Sequence, residues 1–347
     1  MKRVCITGGC GFIGSHFVDY VFKNTDWDIV VLDRLSYASD GYDKLRELGL
    51  LGDKRVSVFS ADFTNPIIEG LAKEIGNINY IVHMGAESHV ANSIIDPKKF
   101  AVNNIIGTLE MLEFAKRQKD FEKFIYFSTD EIFGPATEGI GFKEEDGHNP
   151  GNPYSASKAG AEDICVAYAN TYKLPIMITR TTNIFGERQH LEKFIPMTIR
   201  KVLKGETILI HSNPAGTKST SRFYLYIQNL NSATLFLLKN VNEFLEVHDS
   251  KKGKFNITAE REVSNLEVAR FIALIVNKWQ GENHKKITPF LYEMVDSNSE
   301  RPGCDFRYVM RDTKLKNLGW SMPVDFENSL ENTIRWFLDN PKWLKQA

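Results

Sequence analysis

The sequence lacks an excess of either charge. Its 347 residues include 43 Lys and Arg against 44 Asp and Glu, which leaves a formal net charge of −1. A protein that binds nucleic acid or an anionic membrane through a broad electrostatic field carries a basic excess. The balance therefore argues against both kinds of partner. A small phosphorylated ligand needs only a few local donors and remains compatible with it.

Metal-ligand patterns are also lacking. The chain contains four cysteines, at Cys5, Cys10, Cys165 and Cys304. They show no C-x-x-C spacing, and the histidines are scattered rather than clustered with them. We therefore predict free thiols and no metal site.

Long apolar runs are the third absence. No segment approaches the roughly 20 residues that cross a membrane as a helix. The amino-terminal stretch MKRVCITGGCGFIG has too short an apolar part and too many glycines for a signal peptide. The sequence thus predicts a cytoplasmic protein.

What the chain does contain is an alternation of short apolar runs with longer amphipathic ones. The runs that read as buried strands are RVCIT, DIVVLD, VSVFSA, YIVHMG, KFIYFS and PIMITR. Helical periodicity marks SHFVDYVFKN, NNIIGTLEMLEFAKRQ and SASKAGAEDICVAYANTY. Apolar strands separated by helices predict an α/β fold, a Rossmann-type doubly wound parallel sheet covered on both faces.

The pattern changes after about residue 183, where loops, basic residues and shorter elements predominate. YLYIQNLNSATLFLL and GKFNIT then resemble the first part of the chain again. We therefore expect a smaller, discontinuous carboxyl-terminal domain that binds substrate. The larger domain would comprise residues 1–182 plus about 223–257, and the smaller one about 183–222 plus 258–347.

A glycine-rich loop follows the first predicted strand and opens the first helix. Gly8, Gly11 and Gly14 have G-x-x-G-x-x-G spacing, with Phe12 and Ile13 between the last two. Glycines there permit a tight turn and a close approach to a pyrophosphate, which the helix amino terminus can bind. A glycine triplet alone is weak evidence, but between a first strand and a first helix it predicts a dinucleotide site.

An acid follows the second predicted strand, where an adenosine ribose would lie. Asp33 comes 19 residues after Gly14, and Arg34 is next to it. A carboxylate binds ribose hydroxyls and repels a 2′-phosphate, although the arginine weakens that repulsion, so we favour NAD over NADP. Asp62 and Phe63, after the third strand, are candidates to cover the adenine. A strand-end cap and a core aromatic explain the two equally well.

The most reactive groups are predicted beyond the fifth strand. STDEIFG contains a hydroxyl and two adjacent carboxylates, Thr129, Asp130 and Glu131. Tyr154 and Lys158 follow in NPYSASKAGAE, four residues apart and thus on one helix face, where the ammonium would favour the ionised phenol. Such a phenol can accept a proton from a sugar hydroxyl as hydride leaves its carbon. A chance pair on a surface helix and a solvated acid pair are the alternatives.

Taken together, these motifs resemble those of extended short-chain dehydrogenase/reductases, and within them the nucleotide-sugar 4,6-dehydratases of the dTDP-glucose type. The resemblance covers essentially the whole chain and includes MGAESHVANSI, the Thr-Asp-Glu triplet, Tyr-x-x-x-Lys and RPGCDFRYVM. Epimerases and decarboxylases of the superfamily share the loop, the tyrosine and the lysine. They generally lack the adjacent acids, so the triplet favours a dehydratase.

The resemblance implies a lyase that holds NAD and removes water across C5 and C6 of a nucleotide-diphosphate hexose. Tyr154 would take the C4 hydroxyl proton during a transient oxidation, and Thr129 would bind the C4 oxygen. Glu131 would remove the C5 proton, while a neutral Asp130 protonates the departing C6 oxygen. Return of hydride to C6 gives a 4-keto-6-deoxy sugar, whereas return to C4 gives a 5,6-ene sugar.

The resemblance also implies contacts with both ligands. Ala86 would contact the cofactor, and the residues expected at the nucleotide sugar are Ser88, His89, Asn183, Lys193, Arg222, Arg301 and Tyr308. Ordinary surface charge is the alternative for the basic ones. Departures from the dTDP-glucose pattern include SRFYLYIQN in place of Arg-Asp-Trp-x-x-Val, the missing aspartate after Val90, and Cys304 where histidine is common. UDP-N-acetylglucosamine is therefore the leading alternative substrate to dTDP-glucose.

Two other classes of protein remain open. One is a nucleotide-sugar 4-epimerase or decarboxylase, in which Asp130 and Glu131 would have no chemical role. The other is a nucleotide sensor or scaffold without turnover, which the intact Thr129, Tyr154 and Lys158 disfavour. As in the family, we expect NNIIGTLEMLEFAKRQ and SASKAGAEDICVAYANTY to form a homodimer through a four-helix bundle.

Overall fold

A computed structural model describes residues 1–136, 141–246, 248–296 and 307–345. Its largest feature is a seven-stranded sheet of order β10-β6-β5-β4-β1-β2-β3, in which every neighbouring pair is parallel. Strands β1 to β6 span Arg3–Thr7, Asp28–Asp33, Val56–Ser60, Tyr80–His83, Lys123–Thr129 and Ile176–Thr181, and β10 spans Lys254–Ile257. All six predicted strands are present.

The sheet is covered on both faces, as the apolar side chains of its central strands require. β5 is buried along its whole length, and its successive side chains enter different hydrophobic clusters. Ile125 and Phe127 belong to one cluster, whereas Phe124 and Tyr126 belong to the other. This alternation, set by the two-residue period of a strand, confirms the doubly wound α/β fold.

Helices connect the strands of the main sheet. Helices α1 to α6 span Phe12–Asn24, Asp43–Glu47, Glu69–Ile75, Val90–Ile95, Pro97–Ala101 and Gly107–Lys116. Helices α7 to α12 span Pro153–Tyr172, Phe194–Lys204, Ile227–Asn240, Asn265–Glu282, Thr313–Asn317 and Phe326–Asp339. One predicted helix, NNIIGTLEMLEFAKRQ, differs at its beginning, where a π-helix at Val102–Ile106 joins α5 to α6.

Two smaller sheets lie outside the main one. Strands β7, β9 and β11, at Asn183–Phe185, Ser221–Tyr226 and Glu262–Ser264, form a three-stranded sheet. Strands β8 and β12, at Ile208–Ser212 and Tyr292–Asp296, form a parallel pair. β10 pairs with β6 of the main sheet. Each of the smaller sheets contains at least one strand that precedes β10 in the chain and a strand that follows it. The division into two domains at the predicted boundaries stays a prediction.

None of the helices in the described ranges is both long enough and apolar enough to cross a membrane. Cys5, Cys10 and Cys165 are buried free thiols, and Cys304 lies outside the described residues.

Candidate active site

A cavity of about 620 Å³ opens at the carboxyl edge of the main sheet. Residues of β1, β5 and β6 or of the loops after them line one side, and β7, α8, β8 and β9 contribute to the other. Ligands of doubly wound sheets bind at this edge. The predicted site residues that line the cavity are Gly8, Gly11, Phe12, Ile13, Gly14, Asp33, Arg34, Phe63, Ala86, Ser88, His89, Thr129, Asp130, Glu131, Tyr154, Lys158, Asn183, Lys193 and Arg222.

The glycine loop is built by close backbone contacts. Gly8 has a φ of 69°, a conformation that glycine adopts without strain. A Cβ on Gly14 would collide with the carbonyl oxygen of Gly8, so α1 can approach β1 this closely only with glycine there. The residue before α1 is Gly11, and in the part of the chain described here no side chain caps this helix. The loop therefore offers backbone N–H groups to an anion.

Asp33 ends β2 beside this loop and is held in place by backbone donors. Its carboxylate accepts hydrogen bonds from Cys10 N at 2.9 Å and from Leu35 N at 2.8 Å. The side chain is buried at the cavity wall, where the ribose of a dinucleotide would meet it.

Arg34 is engaged by a carboxylate that the sequence pattern did not identify. Its Nη2 pairs with Glu87, a residue only 4% exposed, and Glu87 Oε1 also receives Lys99 Nζ at 3.1 Å. The backbone N–H of Glu87 donates hydrogen bonds to the side-chain oxygens of Asn103 and Asn104 in the π-helix. No short-range signal marks these partners, because they are brought together only by the fold.

The two candidates for covering the adenine have different surroundings. Phe63 is buried, lines the cavity and meets His83 edge to face at 5.3 Å between ring centroids. Asp62 is exposed, does not belong to the cavity wall and accepts hydrogen bonds from the Thr64 N–H and hydroxyl. Its side chain thus caps its own turn, and a contact with adenine stays a prediction.

The Thr-Asp-Glu triplet stands where β5 gives way to a 3₁₀ turn at Asp130–Phe133. The Thr129 hydroxyl accepts the Glu131 N–H at 3.3 Å and donates to Asp130 Oδ1 at 3.1 Å. Along a continuing strand, neighbouring carboxylates would point to opposite faces. The turn removes this alternation, and both acids line the cavity.

Burial changes the protonation of Asp130. It raises the pKa of Asp130 to about 7, and the charge of Glu131 adds to the increase, while Arg222 and the Thr129 hydrogen bond oppose it. The result agrees with the expectation of a carboxylic acid that keeps its proton near neutral pH.

Tyr154 lies in the first turn of α7 and is hydrogen-bonded to Thr129. Burial and the charge of Glu131 raise the pKa of its phenol, opposite to the direction expected from Lys158. The protein groups alone therefore favour the neutral phenol. A cation bound in the cavity would shift the pKa the other way.

Lys158 is directed toward the sheet. Its Nζ donates to the Phe127 carbonyl oxygen and lies 4.4 Å from the centroid of the Tyr126 ring. Burial lowers its pKa to about 7, and the charge of Glu162 one helical turn later opposes the change. The ammonium is thus fixed at the cavity wall beside the end of β5.

Asn152, which the motifs did not identify, connects the triplet to α7. Its Nδ2 donates to Glu131 Oε2 at 3.2 Å, and its Oδ1 accepts the Ser155 N–H at 2.9 Å. The asparagine signals a helix start in the sequence, but its second contact depends on tertiary structure.

The substrate-side predictions concern the opposite wall. Arg222 lines the cavity, and its guanidinium lies 5.0 Å from the ring centroid of Tyr308, which is buried behind it. Tyr308 itself is outside the cavity wall, and Arg301 lies outside the described residues. Within the described ranges, no group of three or more His, Cys, Asp or Glu is arranged to hold a metal ion.

Comparisons with known proteins agree with this geometry. The family model described as GDP-mannose 4,6 dehydratase matches residues 5–333. A dTDP-D-glucose 4,6-dehydratase of Dictyostelium discoideum is 34% identical over 391 residues, covering 99% of this chain and 83% of that protein. A trifunctional UDP-glucose 4,6-dehydratase of Arabidopsis thaliana is also 34% identical, over 347 residues, but this chain spans only 48% of its length.

Solved structures give the same result. The crystal structure of DesIV, a dTDP-glucose 4,6-dehydratase of Streptomyces venezuelae with NAD bound, superimposes with a TM-score of 0.82 at 29% identity. The match covers 99% of this chain and 100% of that one. The chain therefore belongs to the GDP-mannose 4,6 dehydratase family, among the nucleotide-sugar 4,6-dehydratases of the extended short-chain dehydrogenase/reductases.

Proposed function

We propose that this protein is an NAD-dependent nucleotide-sugar dehydratase that removes water across C5 and C6 of a nucleotide-diphosphate hexose. The observation that carries the proposal is the pair Asp130 and Glu131 in the same cavity as Tyr154, with the pKa of Asp130 raised to about 7. Elimination of water needs an acid and a base together, and these carboxyl groups supply one of each.

The residues present fit NAD. The glycine loop can approach a pyrophosphate closely, and the anchored carboxylate of Asp33 can accept both ribose hydroxyls. Pairing with Glu87 leaves Arg34 less available to a 2′-phosphate, which supports NAD over NADP. When bound, NAD would accept hydride from C4 and return it to the same sugar, so that no net oxidation occurs.

Tyr154 and Thr129 act at C4 of the sugar. In its ionised form, which a cation bound in the cavity would favour, Tyr154 accepts the C4 hydroxyl proton as the carbonyl forms. The Thr129 hydroxyl can turn its one hydrogen from Asp130 to the C4 oxygen. Lys158 at the cavity wall contributes positive charge when it is protonated, which its pKa of about 7 allows at neutral pH and below.

Elimination follows because a ketone at C4 acidifies the C5 proton. Glu131 takes that proton, the C5–C6 double bond forms, and the C6–O bond breaks. The departing oxygen receives the Asp130 proton and leaves as water. A pKa near 7 suits this role, since the acid must hold its proton at neutral pH and give it up to a developing hydroxide.

Further proposals concern the nucleotide sugar and the residues that bind it. Arg222 is suited to a diphosphate, and Ser88, His89, Asn183 and Lys193 lie where a sugar nucleotide would contact them. The dTDP-glucose and UDP-glucose enzymes among the relatives indicate two candidate substrates. UDP-N-acetylglucosamine is a third, because SRFYLYIQN replaces the Arg-Asp-Trp segment of the dTDP-glucose pattern. Return of hydride to C4 would make the product a 5,6-ene sugar.

A homodimer and a cytoplasmic location complete the proposal. Helices α5 and α6, with the π-helix between them, pack beside α7. Val102 and Ile106 on the π-helix are each 40% exposed, as a face that joins a four-helix bundle requires. The cytoplasmic location stays a prediction from the sequence.

The test is to incubate the purified protein with UDP-N-acetylglucosamine, UDP-glucose and dTDP-glucose, and to follow the products by mass spectrometry. The proposal predicts loss of one water from at least one of them. An isomer of unchanged mass would favour a 4-epimerase, loss of carbon dioxide from a uronic acid analogue would favour a decarboxylase, and no turnover would favour a sensor.

A further inference from the structure

Asn152 joins two parts of the site that are distant in the sequence. It stands immediately before α7, the helix that carries Tyr154 and Lys158, and it is buried. Its Oδ1 accepts the Ser155 N–H, while its Nδ2 donates to Glu131 Oε2 at the end of β5. One amide therefore contacts both the start of the catalytic helix and a catalytic carboxylate.

We propose that Asn152 is a positioning residue that keeps Glu131 ionised and oriented toward the C5 hydrogen of the substrate. The inference rests on the proposed function, because that function makes Glu131 the base. An amide N–H forms a stronger hydrogen bond with a charged carboxylate oxygen than with an oxygen of the protonated acid, so this hydrogen bond favours the ionised form. It also restricts rotation of a flexible side chain.

Helix capping does not account for this amide. An N-cap needs only an acceptor, and Ser, Asp and Asn supply one about equally well. The cap here is complete without Nδ2, because Ser155 Oγ accepts the Asn152 N–H at 3.2 Å in a reciprocal capping box. The Asn152 Nδ2 group, which donates to Glu131, is therefore not required by the helix cap.

The charges around Glu131 make such a donor useful. Asp130 is its neighbour in the 3₁₀ turn, and Tyr154 interacts electrostatically with it from α7. An ionised Asp130 or Tyr154 would repel the Glu131 charge, and the positive Arg222 acts on Asp130 from β9. A neutral donor stabilises the carboxylate without adding a charge that would also alter Asp130 and Tyr154.

The test compares Asn152→Ser and Asn152→Asp with a matched control, Ser155→Ala, in the full chain with NAD. Both Asn152 variants keep an acceptor for the cap. The serine is too short to reach Glu131. The aspartate replaces the donor with a carboxylate oxygen, which cannot donate a hydrogen bond to Glu131. Ser155→Ala weakens the capping box but leaves the amide in place. For each protein we would measure solvent deuterium entry at C5, reduced cofactor formed on C4 oxidation, the pH–rate profile and thermal unfolding.

Asn152→Ser is expected to slow C5 exchange by roughly tenfold or more, the effect of losing a hydrogen bond to a charged group. The acidic limb of its profile should move to higher pH, because the base is protonated more readily. C4 oxidation and the unfolding temperature of Asn152→Ser should stay close to wild type. Asn152→Asp should slow C5 exchange more than Asn152→Ser does. Ser155→Ala should unfold at a lower temperature with an unchanged exchange rate and pH profile.

Wild-type exchange and an unmoved acidic limb in Asn152→Ser would overturn the inference. An equal loss in Ser155→Ala would overturn it as well, since the effect would then belong to the helix cap. If Asn152→Ser fails to fold, Asn152→Asp carries the same comparison. Failure of the proposed function is a separate result, because the wild-type protein itself would then exchange no C5 hydrogen with any nucleotide sugar.

Discussion

At the scale of single residues, the site depends on unequal environments for chemically similar groups. Asp130 is fully enclosed at the end of β5, and its pKa is about 7, whereas Glu131 accepts a hydrogen bond from Asn152. Adjacent positions in the chain thus have different surroundings. The triplet and a neutral Asp130 were both predicted at the sequence level, but the hydrogen bond from Asn152 to Glu131 was not, because it depends on tertiary structure.

The raised pKa of Asp130 gives a prediction about pH. The protonated acid is the active form, so it is present below about pH 7 and lost as the pH rises through that value. The rate of dehydration should therefore fall above neutral pH. Asp130→Asn should lower kcat by roughly 10²–10⁴-fold, the usual effect of losing a general acid, and should remove that limb of the pH–rate profile. A variant that keeps the limb would assign it to another group.

Cofactor selection gives a second residue-scale prediction. Glu87→Gln removes the carboxylate that engages Arg34 and Lys99, so both cations become available to a 2′-phosphate. Competition between NADP and NAD should shift toward NADP by about tenfold, the equivalent of about 1.4 kcal/mol. The control is Glu331→Gln, which removes an exposed Arg335 partner outside the cavity. An unchanged ratio in Glu87→Gln would show that Arg34 has no part in cofactor choice.

At the scale of elements, the sequence predicted the strands well because each is an uninterrupted apolar run between helical segments. It did not predict the π-helix at Val102–Ile106. That turn carries Asn103 and Asn104, whose side chains accept the N–H of Glu87 and are buried between elements. Hydrophobic periodicity indicates a helix there but contains no signal for the tertiary contacts that change its winding.

The contact between α7 and β6 leads to a prediction about stability. Arg180 on β6 and Glu162 on α7 are completely buried, and Glu162 Oε2 receives Arg180 Nη2 at 2.7 Å. Burial alone would raise the pKa of Glu162, but Arg180 and His148 lower it well below its usual range. Glu162→Gln would leave a buried guanidinium without its counter-charge and should lower the free energy of unfolding by about 3–5 kcal/mol.

Denaturant unfolding measures this loss, and the matched control is again an exposed pair. Glu331 and Arg335 are four residues apart on α12, with the Glu331 side chain 35% exposed. Because solvent screens such pairs, Glu331→Gln should cost less than about 1 kcal/mol. Equal losses in the two variants would mean that the buried pair contributes no more than a surface one.

At the scale of the whole molecule, the site forms where two parts of the chain meet. The predicted cofactor residues lie at the carboxyl edge of the main sheet, as do Ser88 and His89 of the predicted substrate residues. The other predicted substrate residues at the cavity lie in β7, immediately before α8, and in β9. The sequence predicted which segments take part, because loop motifs and the family resemblance mark them. It could not predict the identity of the hexose, since that depends on the shape of a wall built from many separate segments.

The proposed dimer gives a prediction at this scale. Ile106→Asp introduces a charge on the exposed face of the π-helix beside α7, where a four-helix bundle would bury it. Sedimentation at micromolar concentration should show a dimer for the wild-type protein and a monomer for this variant. Leu274→Asp is the control, since Leu274 is 64% exposed on α10, and it should leave the dimer intact. A monomeric wild-type protein would contradict the proposed assembly.

Dehydration by the two carboxyl groups is tested most directly by following C5 of the sugar in deuterated water. The wild-type protein should form a product that has lost one water and, where hydride has returned to C6, carries solvent deuterium at C5. Glu131→Gln should retain NAD, as shown by its bound absorbance, but should neither exchange C5 nor release water. Unchanged dehydration by Glu131→Gln, or a wild-type 4-keto-6-deoxy product without solvent deuterium at C5, would contradict the account.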